Sequence, residues 1–353
     1  MNGKKMQTLF FLFLLVIVSW SFSDLLVAIY CKTIQMFFHL FHCWETEFAT
    51  TVHFSESQVD VIHSPLPCIP SIHRYILFVP SRTEDRQLRS VIRRTWMMDF
   101  VEDVRFKVFF VLAGPTSYEV EREIQNEKDI LQINTIDSYY NITHKIHQAF
   151  KWIVSNCRYA QLVVRADPDV TLIKSSLLNY LSQKRPFVRT IVGYCRRYDC
   201  VMRVPFSKTC TAFKHYWKHF YPPYCFGFTY LLSADLLKPL LASWPPNYFH
   251  LDDILVTGLL PELLGTVKLV NEPPLFNSEQ SFDTYPCEQL PISARSYSNV
   301  ELLEQRWKEH KERCRQHSSS SSSSNSYLIN GQHMRVIFFC FLLCLWMISD
   351  CAT

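Results

Sequence analysis

The sequence predicts an α/β domain built around a largely parallel central sheet. From residue 74 onward, apolar runs of strand length alternate with segments of helical periodicity. This alternation is typical of βα units, which place their strands side by side in a parallel sheet. The chain has 353 residues, enough for one large domain with appendages, and we assign that domain to residues 74–316.

The predicted elements follow one another along the domain. Strand-like runs occupy 74–80, 105–114, 161–165, 190–194, 228–233 and 267–270. Helical patterns occupy 85–97, 141–156 and 301–316. In 141–156 the apolar residues Ile142, Ile146 and Ile153 recur at helical spacing. The helix leads directly into the strand at 161–165, as in a βαβ unit.

The amino-terminal part has the pattern of a membrane anchor. Lys4 and Lys5 lie in a short tail, 1–8, before an apolar stretch, 9–31, that is long enough to span a bilayer. Positive charge before the stretch favours a cytosolic tail and a lumenal remainder. Residues 32–73 lack sustained periodicity and read as a stem. A cleaved signal peptide is the alternative for 9–31, although no clear small-residue cleavage site follows it.

The carboxyl-terminal part reads as a linker and a hydrophobic tail. A run of serines falls within 317–335, which we interpret as a flexible linker. Residues 336–353 contain an apolar stretch that is short for a spanning helix. The tail resembles a lipid-anchor signal, or it dips into the membrane or folds back.

Cysteine usage indicates an oxidising compartment. Nine of the 13 cysteines lie between Cys43 and Cys314, in the predicted lumenal part, and most of them should form disulfides. Cys195, Cys200, Cys210 and Cys225 are close in sequence but lack the CxxC spacing of a zinc site. We therefore expect disulfides there, with the pairing open.

Two pairs of carboxylates mark the predicted active site. Asp167 and Asp169 flank Pro168 after a buried strand, and the proline lets both side chains turn toward one site. Their oxygen atoms suit Mg²⁺ or Mn²⁺, and a solvated turn is the alternative. Asp252 and Asp253 lie in an apolar setting, where burial raises a carboxylate pKa and favours a general base. Helix N-capping is the alternative role for this second pair.

Composition excludes two other functional classes. The net charge is only +4 and no basic cluster is interleaved with aromatics, so we predict no nucleic-acid partner. The chain has 7 glycines and neither GxGxxG nor a P-loop, which argues against the nucleotide folds that depend on them.

Arginines and aromatics add candidate ligand contacts. In the helical pattern at 83–96, Arg86, Arg89 and Arg93 share one face, suited to phosphate, while the apolar residues share another. A solvated basic face is the alternative. The segment 221–237 places prolines and aromatics around a single glycine, which is either a sugar platform or a packed turn.

Six segments in order resemble the β1,3-galactosyltransferase family of Golgi glycosyltransferases, which includes β1,3-N-acetylglucosaminyltransferases. "RQLRSVIRRTW" resembles the family's arginine-rich signature ending in I-R-x-T-W, and "RFKVFFVLAG" resembles its second strand. The block from "NEKDILQ" to "IVSNC" is similar to the family's D-S-Y-x-N-L-T-x-K block. "VVRADPDVTLI", "YPPYCFGFTYLLSADLL" and "LDDILVTG" fall where the family has K-x-D-D-D-V-F-V, Y-P-x-Y-x-x-G-x-x-Y-x-x-S and E-D-V-x-x-G. The resemblance covers roughly 74–310.

The resemblance implies a function and a location. It implies a GT-A fold, which is Rossmann-like with a mostly parallel sheet and helices on both faces, in a single-pass type II Golgi membrane protein with a lumenal catalytic domain. The reaction implied is transfer of galactose or an N-acetylhexosamine from a UDP-sugar to an acceptor 3-hydroxyl. Inversion at the sugar C1 forms a β1,3 linkage, in protein or lipid glycosylation. The implied cofactor is Mn²⁺, and a homodimer is a further expectation.

Residue by residue, the resemblance assigns roles. Asp167 and Asp169 become the metal and donor site, and Arg86 and Arg93 lie near the nucleotide. Asp253 becomes the general base, with Asp252 as the second choice. Tyr224, Gly227 and Tyr230 would line the donor–acceptor cleft. Asn141 belongs to the only glycosylation sequon, Asn141-Ile142-Thr143, and is a candidate site unless it forms a packed turn before the helix.

The sequence departs from the family pattern in three places. Pro168 replaces the middle carboxylate, and Asp252 replaces the glutamate of E-D-V. Arg295 falls where many members have a histidine that is a candidate metal ligand, and arginine has no lone pair to donate to a metal. These departures leave a second hypothesis, a catalytically weakened member that binds glycans or partners in the Golgi.

Overall fold

The computed structural model describes residues 61–183, 187–204, 207–245 and 249–324, with side chains up to residue 317. The predicted tail at 1–8, anchor at 9–31, most of the stem at 32–73 and the hydrophobic tail at 336–353 lie outside this part. Within the described residues no helix is long and apolar enough to cross a membrane.

Eight strands form the central sheet, in the order β1-β4-β3-β2-β5-β8-β7-β9. The eleven strands of the described residues are β1 Val61–His63, β2 Tyr75–Pro80, β3 Phe106–Ala113, β4 Ile130–Ile133, β5 Leu162–Ala166, β6 Val170–Leu172, β7 Thr190–Arg196, β8 Tyr224–Ser233, β9 Lys268–Asn271, β10 Phe276–Ser281 and β11 Ser293–Arg295. Only β1 and β8 run against their neighbours in the central sheet. The sheet is therefore mixed but mostly parallel, as the sequence predicts.

Helices cover both faces of the sheet. They are α1 Arg86–Arg94, α2 Trp96–Val101, α3 Tyr118–Glu127, α4 Ile142–Asn156, α5 Lys174–Gln183, α6 Leu237–Ala242, α7 Asp252–Ile254, α8 Leu260–Leu264 and α9 Val300–Ser324. One apolar core lies under α1, α2, α5 and α9, and the other under α4, α6 and the run from α7 to α8. Every residue of β2 is buried, as expected for a central strand covered on both sides. The predicted α/β class is confirmed.

The predicted helix at 85–97 is two helices, because the backbone breaks at Thr95. Its φ of −112° and ψ of −120° are not helical, and its hydroxyl donates back to the Val91 carbonyl at 2.7 Å. The predicted packing face is confirmed, since Ile92 and Trp96 are fully buried. At the other end of the chain, α9 continues to Ser324, past the boundary predicted at residue 316. Adding serines to a helix that already exists costs little free energy.

A three-stranded sheet, β10-β11-β6, was not predicted from the sequence. Two of its strands have only three residues, too few for a periodic signal. The sheet fixes the position of Arg295, which is exposed and pairs with Val170 across β11 and β6. The next residue, Ser296, donates its backbone N–H to the Asp169 carbonyl at 2.8 Å. Arg295 thus lies beside the Asp-Pro-Asp turn.

Disulfides bind distant segments of the domain together. The pairs are Cys68–Cys157, Cys195–Cys225 and Cys287–Cys314. Cys200 and Cys210 are disulfide-bonded as well. All four cysteines that were weighed as zinc ligands are therefore used in disulfides, as expected from the sequence.

Candidate active site

The site lies at the carboxyl edge of the parallel strands. β5 ends there at Ala166, and β8 runs antiparallel to it with Thr229 opposite Ala166. The first residues of β8, Tyr224 to Phe228, therefore extend beyond the end of β5. Open α/β sheets bind ligands at this edge.

Asp167, Pro168 and Asp169 form the tight turn between β5 and β6. The turn is closed by the Val170 N–H, which donates to the Asp167 carbonyl at 3.3 Å. The Asp167 N–H donates to the Phe228 carbonyl at 2.8 Å, which ties the turn to the overhanging part of β8. Asp169 is exposed, whereas 29% of the Asp167 side chain is accessible. Both carboxylates are therefore reachable from the edge of the sheet.

A buried arginine joins the two predicted carboxylate pairs. The Arg165 side chain is only 1% exposed, and its Nη1 lies 2.9 Å from Asp167 Oδ1. Its Nη2 lies 3.2 Å from Asp252 Oδ2, at the start of α7. The guanidinium also stands 5.9 Å from the centre of the Tyr230 ring. Arg165 was assigned no role from the sequence, although a basic residue inside a buried strand requires buried carboxylate partners.

Asp253 is held in place by two backbone donors. Gly227 donates its N–H to Asp253 Oδ2 at 3.1 Å, and Ile254 donates to Oδ1 at 2.8 Å. Gly227 packs tightly here, because a Cβ would lie 3.1 Å from the Asp253 Cβ and 3.4 Å from Arg165 Nη1, so a larger residue would push on both. The structure therefore brings Asp253, Asp252, Asp167 and Gly227 together around one arginine.

Burial raises the pKa of all three inner carboxyl groups. Desolvation raises the pKa of Asp252 and that of Asp167 to about 6, while the Arg165 guanidinium opposes the rise at both. Desolvation also raises the pKa of Asp253, against its two backbone hydrogen bonds and Arg165. Asp167 keeps part of its side chain in solvent, so we expect less desolvation there than at Asp252. A carboxylate with a raised pKa is a stronger base than a solvated one.

Tyr139 and Lys208 lie at the edge of the site, and neither was predicted from the sequence. Burial and the nearby carboxylates of Asp253, Asp252 and Asp167 raise the pKa of the Tyr139 phenol, which places this side chain beside the site. The tyrosine is nevertheless 42% exposed, and the Lys208 ammonium stands 5.0 Å from its ring centre. The adjacent Asp137 and Lys145 of the same sequence block form a support, with Lys145 Nζ 2.6 Å from Asp137 Oδ1 and 2.7 Å from the Ser81 carbonyl.

Two predicted cleft residues are buried rather than lining the cleft. Tyr224 is 4% exposed and donates its hydroxyl to Asp199 Oδ2 at 2.5 Å. Tyr230 is fully buried under the Arg165 guanidinium. Both tyrosine side chains are therefore part of the packing that supports the site. Gly227 contacts Asp253 directly, as described above.

The predicted phosphate-binding face of α1 needs correction. Arg93 pairs with Asp129 through two contacts of 2.8 Å and with Glu123 at 2.8 Å, so its guanidinium is already occupied. Arg89 is fully buried and pairs with Glu123 at 2.6 Å. We therefore remove Arg93 from the nucleotide site. Arg86 is exposed at the start of α1 and stays a prediction.

Asn141 is a packed turn residue rather than a surface sequon. It is 3% exposed and donates its side-chain amide to the Ile136 carbonyl at 2.9 Å, just before α4 begins. A glycan on this nitrogen has no room in the folded domain. The glycosylation prediction is withdrawn, and the packed turn, its alternative, is what the structure shows.

The carboxylates at the turn can hold a metal ion only when a substrate supplies further ligands. In the described part of the chain no group of three or more His, Cys, Asp or Glu side chains could hold an ion. Asp167 and Asp169 supply hard oxygen atoms, and Arg165 already pairs with Asp167 Oδ1. Magnesium-type ions are commonly held by one or two carboxylates together with substrate phosphates and water. The residues present fit that arrangement.

Sequence comparison agrees with the site. A galactosyltransferase family model matches residues 87–272, which include Asp167 and Asp253. The chain belongs to the galactosyltransferase family. The β-1,3-galactosyltransferase 5 of Pan paniscus is 30% identical over 207 residues, covering 57% of this chain and 69% of that protein. The human protein of that name is 30% identical over 207 residues, covering 57% and 67%. The human lactosylceramide 1,3-N-acetyl-β-D-glucosaminyltransferase is 29% identical over 248 residues, covering 66% and 65%.

Membership confirms the family inferred from the six segments. It makes the protein a glycosyltransferase of glycan synthesis, with a sugar donor and a glycan acceptor. The mixed, mostly parallel sheet with helices on both faces agrees with the GT-A fold that the resemblance implies.

Proposed function

We propose that the protein transfers galactose or an N-acetylhexosamine from a UDP-sugar to the 3-hydroxyl of an acceptor glycan, with inversion. One observation carries the proposal: Arg165 ties Asp167 of the turn to Asp252 of α7, next to Asp253. The turn whose carboxylates would bind the donor is thereby held next to the carboxylate that would deprotonate the acceptor. Single displacement with inversion needs these two functions on opposite sides of the sugar C1.

Asp253 acts as the general base in this proposal. Its two backbone donors fix the carboxylate, and burial raises its pKa, so it accepts a proton more readily than a solvated aspartate. It takes the proton of the acceptor hydroxyl as that oxygen bonds to the sugar C1. The bond from C1 to the diphosphate breaks on the opposite face, and UDP leaves. Asp252 stays paired with Arg165 and orients Asp253.

The donor diphosphate is placed at the Asp-Pro-Asp turn. Asp167 and Asp169 would hold Mn²⁺ there, and the ion when bound supplies charge neutralisation for the leaving diphosphate. Arg295 lies beside the turn and offers a second positive charge. Arg86, exposed after β2, is the remaining arginine candidate for the nucleotide.

Location in the Golgi membrane, with the domain lumenal, is part of the proposal. It is supported by the apolar stretch at 9–31 after Lys4 and Lys5, and by the disulfides of the domain. The similarity to glycosyltransferases of glycan synthesis supports the same compartment.

The alternative is a weakened transferase that binds glycans, favoured by the replacement of a candidate ligand histidine with Arg295. Release of UDP from UDP-galactose and UDP-N-acetylglucosamine, with and without Mn²⁺, separates the two. The proposal expects acceptor-dependent release that is lost in Asp253→Asn. Binding of UDP without turnover on a broad acceptor panel would favour the alternative.

A further inference from the structure

A groove of about 870 Å³ lies where the chain enters β2, and large apolar side chains form much of its wall. Six of these side chains are between 42% and 69% exposed. Three belong to the segment before β2 and three to α2 and the turn after it, namely Leu66, Ile69, Ile72, Met98, Val101 and Val104. A contiguous group of exposed apolar side chains marks an interaction surface in a soluble domain.

The groove is separate from the candidate active site. Phe106, the first residue of β3, lines the groove and pairs with Tyr75 at the start of β2. Tyr75 pairs in turn with Leu162 at the start of β5, so the groove lies at the amino edge of the parallel strands. Asp167 follows Leu162 by five residues, which places it about 16 Å farther along the strand direction. The groove therefore has no part in the chemistry proposed above.

Both segments that build the groove are fixed to the domain. The segment 64–73 is joined by the Cys68–Cys157 disulfide to the residue that follows α4. The other face of α2 is packed in the core, since Trp96 and Phe100 are fully buried. The exposed apolar side chains are thus presented by backbone that is already held in place, and the groove is a preformed surface.

The chain itself contains a segment whose chemistry matches the groove. Residues 34–44, which lie outside the described residues, have the sequence "IQMFFHLFHCW". Seven of these 11 residues are large and apolar, and none is Asp, Glu, Lys or Arg. A run of this kind needs an apolar surface to cover it, just as the groove does.

The connection between this segment and the groove is short. The 16 residues at 45–60 precede β1 and span at most about 50 Å when fully extended. β1 pairs with β4, and Lys128 and Asp129, directly before β4, line the groove. The chain therefore enters the domain beside the groove. A tether of this length gives the segment a local concentration in the millimolar range at the groove.

Charge favours the same occupant. Residues 45–60 contain four carboxylates and no lysine or arginine, namely Glu45, Glu47, Glu56 and Asp60. Lys107 and Lys128 line the groove. The groove also carries Glu127 and Asp129, but Arg93 lies 3.9 Å from the first and pairs with the second at 2.8 Å. The two lysines can therefore attract the acidic tether.

We infer that residues 34–44 of the same chain dock in this groove and cover its apolar wall. The inference goes beyond the proposed function and does not depend on it. Docking leaves only residues 32 and 33 between the predicted anchor at 9–31 and the docked segment. The amino edge of the sheet then faces the anchor, and the active site at the carboxyl edge faces away from it.

The test is photo-cross-linking of the full chain in the cells that express it. The probe is p-benzoylphenylalanine in place of Val101, which is 61% exposed in the groove, and in a second protein in place of Leu66, which is 65% exposed. After irradiation, a denaturing gel separates monomer from cross-linked species, and mass spectrometry of the digested monomer identifies the peptide that each probe has captured. We expect the peptide 34–44 from both positions, in a band of monomer mass.

A stem variant and a matched control complete the design. The double substitution Phe37→Asp with Phe41→Asp lies outside the domain and should lower the cross-linking yield at least about fivefold, because it places carboxylates against apolar side chains. Val188 is the matched control, since it is also a valine, is 59% exposed and does not line the groove. The probe at this position should not capture 34–44.

The readout does not use sugar transfer, so an inactive protein would leave this inference standing while refuting the proposed function. Cross-links from Val101 and Leu66 to a second copy, to a lipid, to a different protein or to the hydrophobic tail at 336–353 would overturn the inference. No cross-link to 34–44 from either position, or an unchanged yield in the double variant, would overturn it as well.

Discussion

Replacing Arg165 with methionine tests whether this side chain holds the two carboxylate pairs of the site together. The change removes the guanidinium that pairs with both Asp167 and Asp252 and keeps an apolar side chain of similar length in the core. Removing one partner of a buried ion pair costs about 3–5 kcal/mol, because the other charge stays buried without compensation. Asp167 has 29% of its side chain exposed and can rehydrate, whereas Asp252 has only 9%. Most of the cost should therefore come from Asp252.

The sign of the pH dependence follows from the pKa of Asp252. Burial raises it from 3.8 to about 6, so the protonated form is favoured by folding. Its contribution to stability is most favourable below the unfolded pKa and is lost as pH rises through the folded pKa. Without Arg165 the folded pKa rises further, because the guanidinium opposes the rise. The variant should therefore lose more stability near pH 7.5 than near pH 5.

Thermal unfolding of the full chain measures this loss. A cost of about 3–5 kcal/mol lowers Tm by roughly 6–20 °C for a domain of this size. Arg165→Lys keeps a positive charge and should lose less. Arg86→Met is the matched control, since Arg86 is exposed and its removal should change Tm by no more than a degree or two. A Tm shift in Arg165→Met as small as that of the control, or a larger loss at acid pH, would refute the reasoning.

Three further variants test the other assignments. Asp253→Asn should lower kcat about 100- to 10,000-fold. Wild-type activity should rise with pH through the raised pKa of Asp253, and this rise should disappear in the variant. Unchanged turnover in the variant would rule out Asp253 as the base. Gly227→Ala places a methyl group 3.1 Å from the Asp253 Cβ. It should lower kcat about 10- to 100-fold with little change in Tm, because it displaces the base. Unchanged kinetics would argue against this close contact. Arg93→Ala should lower stability by about 1.5–3 kcal/mol and leave the Kd for UDP unchanged in calorimetry, whereas a large loss of UDP affinity would return Arg93 to the nucleotide site.

The sequence predicted the long elements and the carboxylates of the site. The central strands are continuous apolar runs, and α4 has a clear helical period, so both were visible without a structure. Asp167 and Asp253 were identified because each belongs to a carboxylate pair in an apolar setting and lies within a segment that resembles a family motif. Their contact through Arg165 was not predicted, because the two positions are far apart in sequence and meet only across the sheet.

The errors have a common physical origin. Arg93 and Asn141 have the residue types of surface sites, and only tertiary packing shows that both are enclosed by their own hydrogen-bond partners. Tyr224 and Tyr230 were placed in the cleft because they match tyrosines of the family motif around Gly227, yet both side chains are buried. A short motif identifies a neighbourhood, but burial decides which of its side chains reach a ligand.

Product analysis with isotope-labelled UDP-sugar tests the central claim most directly. Purified full chain is incubated with ¹³C-labelled UDP-galactose or UDP-N-acetylglucosamine and an acceptor panel, and NMR reads the anomeric configuration and linkage of the product. The account predicts a β1,3-linked product from wild type and at least 100-fold less from Asp253→Asn. An α-linked product, or equal product from both proteins, would contradict it.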